Sequence, residues 1–437
     1  MIFHQFTVSN FRSIKEPLTL TMEAADVTGP NQEIDDRNLV LGPDGKYLKV
    51  KALYGGNAAG KSNIFKALAN FALIIKEIGS ASFQLSKYIQ PFQLNRESRF
   101  ENTHFEIVIS NNGLTYRYGF EANEKKIENE RLFITNEEGV EELGYKYLKS
   151  ELTYQIGPKY FKKSFDMIVE FNELAKTYTD PISDNTEFDD FAFDGSPPSL
   201  WLVGLHKTGE QIATQLLNLI TVGIRPFNAL VPNGIKESEI IRITTEGSVK
   251  HFIRSLLKYA DVNIIDFDRQ PIVGPEGEEF QAIVILKASF DKHGKRTGEE
   301  SFNLNQESDG TKRLFTMGRS FEFVLSFGGL FFIDELDARF HPLLTSMIVE
   351  LFQNPETNPK GAQLIFITHD TQFLSLKRFR PDQIAFVSRN KANATEISTL
   401  IEFEGIENDS DVKALYLKGL LDGVPNLNLF LESFKRS

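Results

Sequence analysis

An α/β fold is predicted, built on a mixed sheet with an antiparallel β subdomain and interrupted by a mostly helical insertion. Three observations predict it. An apolar strand, residues 49–53, runs into a glycine-rich turn and then an amphipathic helix. Two short apolar runs, 330–333 and 363–367, end in polar, acid-containing tips, as buried strands of a parallel sheet do. Strand patterns separated by Asn, Gly and Glu clusters fill residues 105–154, which reads as antiparallel hairpins.

In chain order, Ile2 to Val8 alternates as a strand, and Leu18 to Met22 alternates again after a turn. Glycine, proline and charge dominate Val27 to Lys46, which reads as loop. After the strand at 49–53, Ile64, Phe65, Leu68, Phe71, Ala72 and Ile75 recur at three- and four-residue spacing, a helix with one buried face. "HFEIVIS", "NNG" and "LTYRYGF" spell a hairpin. From about Lys159 the period turns helical, with "GEQIATQLLNLI" and "SVKHFIRSLLKYA" amphipathic and "DNTEFDDFAFDGSPP" an exposed acidic loop. Strand character returns at Phe280 to Leu286 and alternates with helices to the end. The expected division is an N-terminal lobe at 1–155, an insertion for dimer or partner contact at 156–263, and a C-terminal lobe at 264–437.

Composition excludes several classes. The longest uncharged apolar stretch, Phe323 to Ile333, is half of the roughly 20 residues a membrane span needs. There are no cysteines, so disulfides, thiolate zinc sites and cysteine nucleophiles are out, and a cytoplasmic location is expected. A net charge of −12 argues against a grip on DNA spread over the whole surface. The basic clusters "KYFKK" and "KRFR" read as solvated faces, and a local contact with nucleic acid stays open.

The chemistry concentrates in three places. Gly55, Gly56, Asn57, Ala58, Ala59, Gly60, Lys61 and Ser62 form glycine, four residues, Gly-Lys-Ser, between a strand and a helix, with Asn63 following. In that context backbone N–H groups curl around phosphate and the helix start adds its positive dipole end, so this is a P-loop. Lys61 is expected to reach the β and γ phosphates of ATP, and Ser62 to place its hydroxyl on Mg²⁺. Asp334 and Glu335 close an apolar strand at the sheet edge where open α/β sheets bind ligands. Asp334 suits Mg²⁺ through water, and Glu335 suits orienting or deprotonating the attacking water. His369 ends the next apolar strand and is expected to sense the γ-phosphate; the other six histidines read as structural or exposed.

These motifs, in this order, resemble an ABC-type ATPase head of the RecF, SMC and OLD kind. More closely the chain is similar to the abortive-infection AbiL and RloA group, which has relatives in the PARIS antiphage systems. The resemblance runs through "FTVSNFRSIKEPLTLTMEA", "YGGNAAGKSN", "YRYGF", "ESDGTKRLF", "FFIDELDARFHPLL", "GAQLIFITHD", "RPDQIAFV" and "YLKGLLDGVPNL". It implies an ABC-type P-loop ATPase head in which Ser308 and Gly310 bind the γ-phosphate of ATP held by another copy. It therefore implies a homodimer or higher homo-oligomer with ATP sandwiched between heads, and Asp337 as the residue crossing that interface. A Q-loop glutamine is implied too, and Gln90 and Gln93 both qualify. Arg339 and Phe340 depart from the group, which more often has a small residue and leucine there.

The missing Cys-x-x-Cys and coiled coils exclude a zinc-hook protein. Too little chain follows His369 for an appended nuclease domain of common size, so nuclease action is expected from a partner chain. The leading expectation is an ATPase sensor of a bacterial antiphage or abortive-infection system that holds or releases an effector. The resemblance implies an RloB-like or other TOPRIM-type nuclease for that role. The alternatives are a RecF-like DNA-maintenance ATPase and an ATP-binding assembly scaffold with negligible turnover.

Overall fold

A computed structural model describes residues 1–27, 29–80, 82–148, 153–164, 200–228, 240, 243–245, 247–260, 263–273, 279–338 and 340–423. The expected α/β class is what the chain adopts. A six-stranded core sheet runs in the order Ile224–Asn228, Leu330–Asp334, Gln363–Ile367, Val50–Gly55, Ile384–Arg389 and Thr395–Thr399. The first five strands are mutually parallel and the last is antiparallel to its neighbour. Successive side chains on a strand point to opposite faces, and both faces are covered here. Leu330, Phe332, Ile365 and Ile367 pack with helix Lys61–Glu77 on one side. Phe331, Ile333, Leu364 and Phe366 pack with helices Gly247–Ala260, Asp309–Phe327 and Pro342–Gln353 on the other. That double burial is why these strands are apolar without alternation.

The second large sheet is antiparallel, in the order Thr153–Ile156, Glu141–Leu148, Ile127–Thr135, Leu114–Ala122, Thr103–Asn111, Ile2–Ser9 and Leu18–Thr21. The expected hairpin is there, with Asn111 opposite Leu114. Gln363 ties the two sheets together. Its buried amide accepts from the Phe3 N–H at 2.6 Å and donates to the carbonyls of Phe3 and Leu48, each at 3.0 Å. Glu130 does the same for the helical region. Its buried carboxylate accepts the N–H groups of Trp201 (2.6 Å) and Leu202 (2.9 Å) and the hydroxyls of Tyr118 and Tyr145. Burial raises the Glu130 pKa, and the hydrogen bonds from Tyr145, Leu202, Trp201 and Tyr118 oppose that rise.

Two segments differ from the sequence reading. Residues 27–46, expected as loop, contain helix Gln32–Asn38 and the short pair Leu39–Leu41 and Lys46–Leu48. The helix buries only Ile34 and Asn38, so it carries no apolar periodicity; its signal is the Asn31 cap, which accepts the Ile34 N–H. Within the stretch read as a mostly helical insertion, Ile224–Asn228 is an edge strand of the core sheet. Pro226 masks it in sequence, and an edge is where a sheet tolerates proline. The acidic stretch 184–198, Arg339 and the end of "YLKGLLDGVPNL" lie outside the described residues. Among those described, no helix is long and apolar enough to cross a membrane.

Candidate functional site

Three adjacent parallel strands deliver the candidate residues to one edge, because each ends at its carboxyl tip with a functional turn. Val50–Gly55 leads into the P-loop, and helix Lys61–Glu77 begins at its far end. Gly55 and Gly60 have φ of 152° and 116°, and Ala58 joins them at 61°. Packing reinforces the choice of glycine: a Cβ on Gly55 would lie 2.4 Å from the Val387 carbonyl, and one on Gly60 would lie 2.0 Å from Thr395 Oγ1. Asn57 and Ala58 are exposed at the crest, and Ala59 is buried. Asn63 anchors the helix start sideways, its amide donating to Ser13 Oγ at 2.7 Å.

The Lys61 side chain folds across this loop. Its ammonium donates to the carbonyls of Gly55 (2.6 Å) and Gly56 (3.0 Å), and burial lowers its pKa against the pull of Asp334, Glu335 and Asp337. Ser62 Oγ donates to Asp334 Oδ1 at 3.3 Å, so the two residues expected at Mg²⁺ meet although 272 residues separate them. Burial raises the Asp334 pKa, the Ser62 hydrogen bond opposes it, and Glu335 adds to it. Both oxygens are hard donors, and magnesium keeps several waters and takes only one or two carboxylates beside substrate phosphates. The pair fits that cation.

Glu335 follows with φ of 58°, a left-handed backbone that costs a residue with a Cβ roughly 1–2 kcal/mol. The turn sends the chain back toward the His369 tip, and the Leu336 N–H donates to the Ile367 carbonyl at 2.9 Å. Asp337 accepts the His369 N–H through both carboxylate oxygens, at 3.4 and 3.3 Å. The residue expected to cross to another copy is thus engaged within its own chain. His369 lies at an exposed strand tip; partial desolvation of its ring and the nearby Lys61 charge lower its pKa, while Asp337 and Glu335 pull the other way.

Ser308 and Gly310 lie at the start of helix Asp309–Phe327, which follows in the chain the three-stranded sheet Ile264–Val273, Glu279–Phe290 and Arg296–Asn303. Ser308 is the N-cap, exposed, accepting the Thr311 N–H at 3.2 Å. Its helix is held from beneath by Leu314, Phe315, Met317 and Phe321, so the start projects from a fixed base. No hydrogen bond between Ser308 or Gly310 and the same chain's P-loop occurs among the described residues.

Of the two glutamines, Gln90 is linked toward the P-loop helix by its backbone. Its carbonyl accepts the Arg12 N–H at 2.7 Å, and Arg12 reaches Asn63 Oδ1 at 3.4 Å. The side chains turn elsewhere, Gln90 to the Lys87 carbonyl and Gln93 to the Pro91 carbonyl. The sequence reading missed Thr395, Arg389 and Gly423. Thr395 and Arg389 donate to the carbonyls of Ala59 and Ala58, and a Cβ on Gly423 would lie 2.7 Å from Gly55 Cα. Arg12 shares a positive φ with Asn10 in the "SNFRS" turn, a conformation visible only in the structure.

The sequence profile of the family described as "AAA domain, putative AbiEii toxin, Type IV TA system" matches residues 51–189 and 242–375. Among solved structures, the SMC head domain from Thermotoga maritima is 14% identical with a TM-score of 0.40, covering 91% of this chain and 99% of that one. An Smc head domain with an extended coiled coil, bound to a ScpA C-terminal domain derived from Pyrococcus furiosus, is 12% identical (TM-score 0.39, 91% and 96% covered). The recombination mediator protein RecF with a bound ATP analogue is 11% identical (TM-score 0.35, 90% and 97% covered). No protein of curated function matches the chain.

Proposed function

The chain belongs to this AAA-domain family, and from that premise we propose that it is an ABC-type ATPase whose ATP is enclosed between two copies and whose engagement controls a partner effector. The observation that carries the reading is the Ser62–Asp334 contact at the mouth of a glycine-built P-loop, with Glu335 on the adjoining turn. Lys61 leaves the Gly55 and Gly56 carbonyls for the β and γ phosphates, a stronger acceptor for an ammonium than a neutral carbonyl. Ser62 and Asp334 hold Mg²⁺, which when bound neutralises phosphate charge. Glu335 orients the attacking water and takes its proton. His369, at the tip of the neighbouring strand, offers a ring nitrogen to the γ-phosphate.

Ser308 and Gly310 complete the site of a second copy. Support comes from the exposure of Ser308 and the partial exposure of Gly310 at the start of a long helix, whose N–H groups and dipole suit phosphate. The test is Glu335→Gln with ATP and Mg²⁺. Its turnover should fall by a factor on the order of 100 to 10,000, the usual contribution of a general base. The variant should also double its mass by light scattering when ATP is added. If it binds ATP and its mass never changes, the sandwich reading is wrong.

The effector role rests on the family's toxin-system description and on the resemblance to abortive-infection ATPases. The proposed effector is an RloB-like or TOPRIM-type nuclease encoded alongside, in an antiphage setting. Affinity capture from the native host with and without ATP should bring down such a nuclease in one state only. Capture of none, together with tight, steeply salt-dependent DNA binding by the purified chain, would transfer the case to a DNA-maintenance ATPase.

A further inference from the structure

We propose that Arg313 is a positioning residue that seats the turn of Glu335 from the helix carrying Ser308 and Gly310. The inference rests on the reading of Glu335 as the acid that orients water. Arg313 lies in the second turn of helix Asp309–Phe327, five residues after Ser308, and is 6% exposed. Its two terminal nitrogens grip the backbone at both ends of the acidic turn: Nη2 donates to the Glu335 carbonyl at 2.5 Å and Nη1 donates to the Ala338 carbonyl. The guanidinium plane sits 4.6 Å from the centre of the Phe340 ring, which holds it from the next residue pair along.

Three facts make this more than a packed arginine. The backbone it grips is the left-handed Glu335, a conformation that persists at a residue with a Cβ only where surroundings over-determine it. A guanidinium is a rigid fork, so two carbonyls bound to it are fixed relative to each other, which a lysine's single ammonium cannot do. And the fork hangs from the helix whose exposed start is the candidate contact for a second copy's nucleotide. Arg313 therefore links the surface a copy presents in trans to the acid it uses in cis. A shift of that helix start would reach the Glu335 backbone through one side chain.

The experiment compares Arg313→Met and Arg313→Lys with the parent and with Glu335→Gln, measuring ATP affinity by titration and steady-state kcat and KM. Displacement of a reacting group by about 1 Å lowers turnover on the order of 100-fold. Arg313→Met should show that loss in kcat with ATP affinity and KM within about threefold, since the phosphates are held elsewhere. Arg313→Lys, able to reach one carbonyl of the two, should lie between. Turnover by Arg313→Met within about threefold of the parent overturns the proposal. So does parallel loss of ATP affinity and folding in both variants, which would make the residue merely structural. Should Glu335→Gln itself turn over normally, the reading of Glu335 fails; should it be dead while Arg313→Met stays active, only the role of Arg313 fails.

Discussion

Two clusters of charge lie inside this chain, around Arg380 and around Lys61, and they are closed to different degrees. Arg380, 2% exposed, spends its guanidinium on Asp382, Asp35 and the carbonyls of Ala25 and Val27. Asp382 in turn accepts the Ala25 N–H at 2.9 Å. Lys61 has only the carbonyls of its own loop, Asp334 has one long contact from Ser62, and Glu335 stands beside them with no basic side chain in hydrogen-bond contact among the described residues. The buried charges of the Arg380 cluster find opposite charges within the chain, and breaking such a pair is expensive. The Lys61 cluster has only weak partners, which under the proposed function a triphosphate and its cation would displace.

The sharpest way to break the comparison is Arg380→Met. Removing the hub strands the buried Asp382 carboxylate and the half-buried Asp35, and urea unfolding should show a loss of about 3–5 kcal/mol. Nucleotide affinity of the folded fraction should not move. A loss below about 1 kcal/mol would show that the Arg380 cluster is not closed. Lys61→Ala should do the reverse. Its stability should change by less than about 1 kcal/mol. Its ATP affinity by calorimetric titration should fall about 10- to 100-fold or more, as expected for lost hydrogen bonds to a charged group. Unchanged affinity would remove Lys61 from the phosphates.

The smallest effect sharpens the comparison most. Burial raises the pKa of Asp334, so the folded chain holds that proton to higher pH than the unfolded chain does. Its contribution to stability is then fully present below the unfolded pKa and is lost as pH rises through the folded one. At pH 7 the ionised Asp334 weakens the fold, and Asp334→Asn should raise stability by about 0.5–1 kcal/mol. The gain should vanish below about pH 4, while Mg²⁺-dependent turnover is lost at every pH. A variant less stable than the parent at pH 7 would place Asp334 among the structural charges instead.

Much of the site was legible because it is local. Strand, glycine turn and helix follow one another within residues 50–77, and the spacing of Gly55, Gly60, Lys61 and Ser62 needs no tertiary contact to be read. The apolar runs before Asp334 and Thr368 were legible for a related reason: burial on both faces removes alternation from a strand. Helix Gln32–Asn38 and strand Ile224–Asn228 escaped because one is too short to show a period and the other sits at a sheet edge, where proline is tolerated. Thr395 and Gly423 carried no local signal at all. Each matters only for the P-loop backbone it approaches, and Thr395 lies 336 residues along the chain from the Ala59 carbonyl it caps.

From the sequence alone came the α/β class, the phosphate-binding turn and the acids and histidine at strand tips, since periodicity and backbone preference act over a few residues. Tertiary structure alone decided that Gln363–Ile367 lies between the P-loop strand and the acidic strand, bringing Ser62 to Asp334 and His369 to Asp337. It alone put Arg313 under the turn of Glu335. Strand order and side-chain neighbours are settled by how two apolar faces pack over the whole chain, and no short window of residues contains that information.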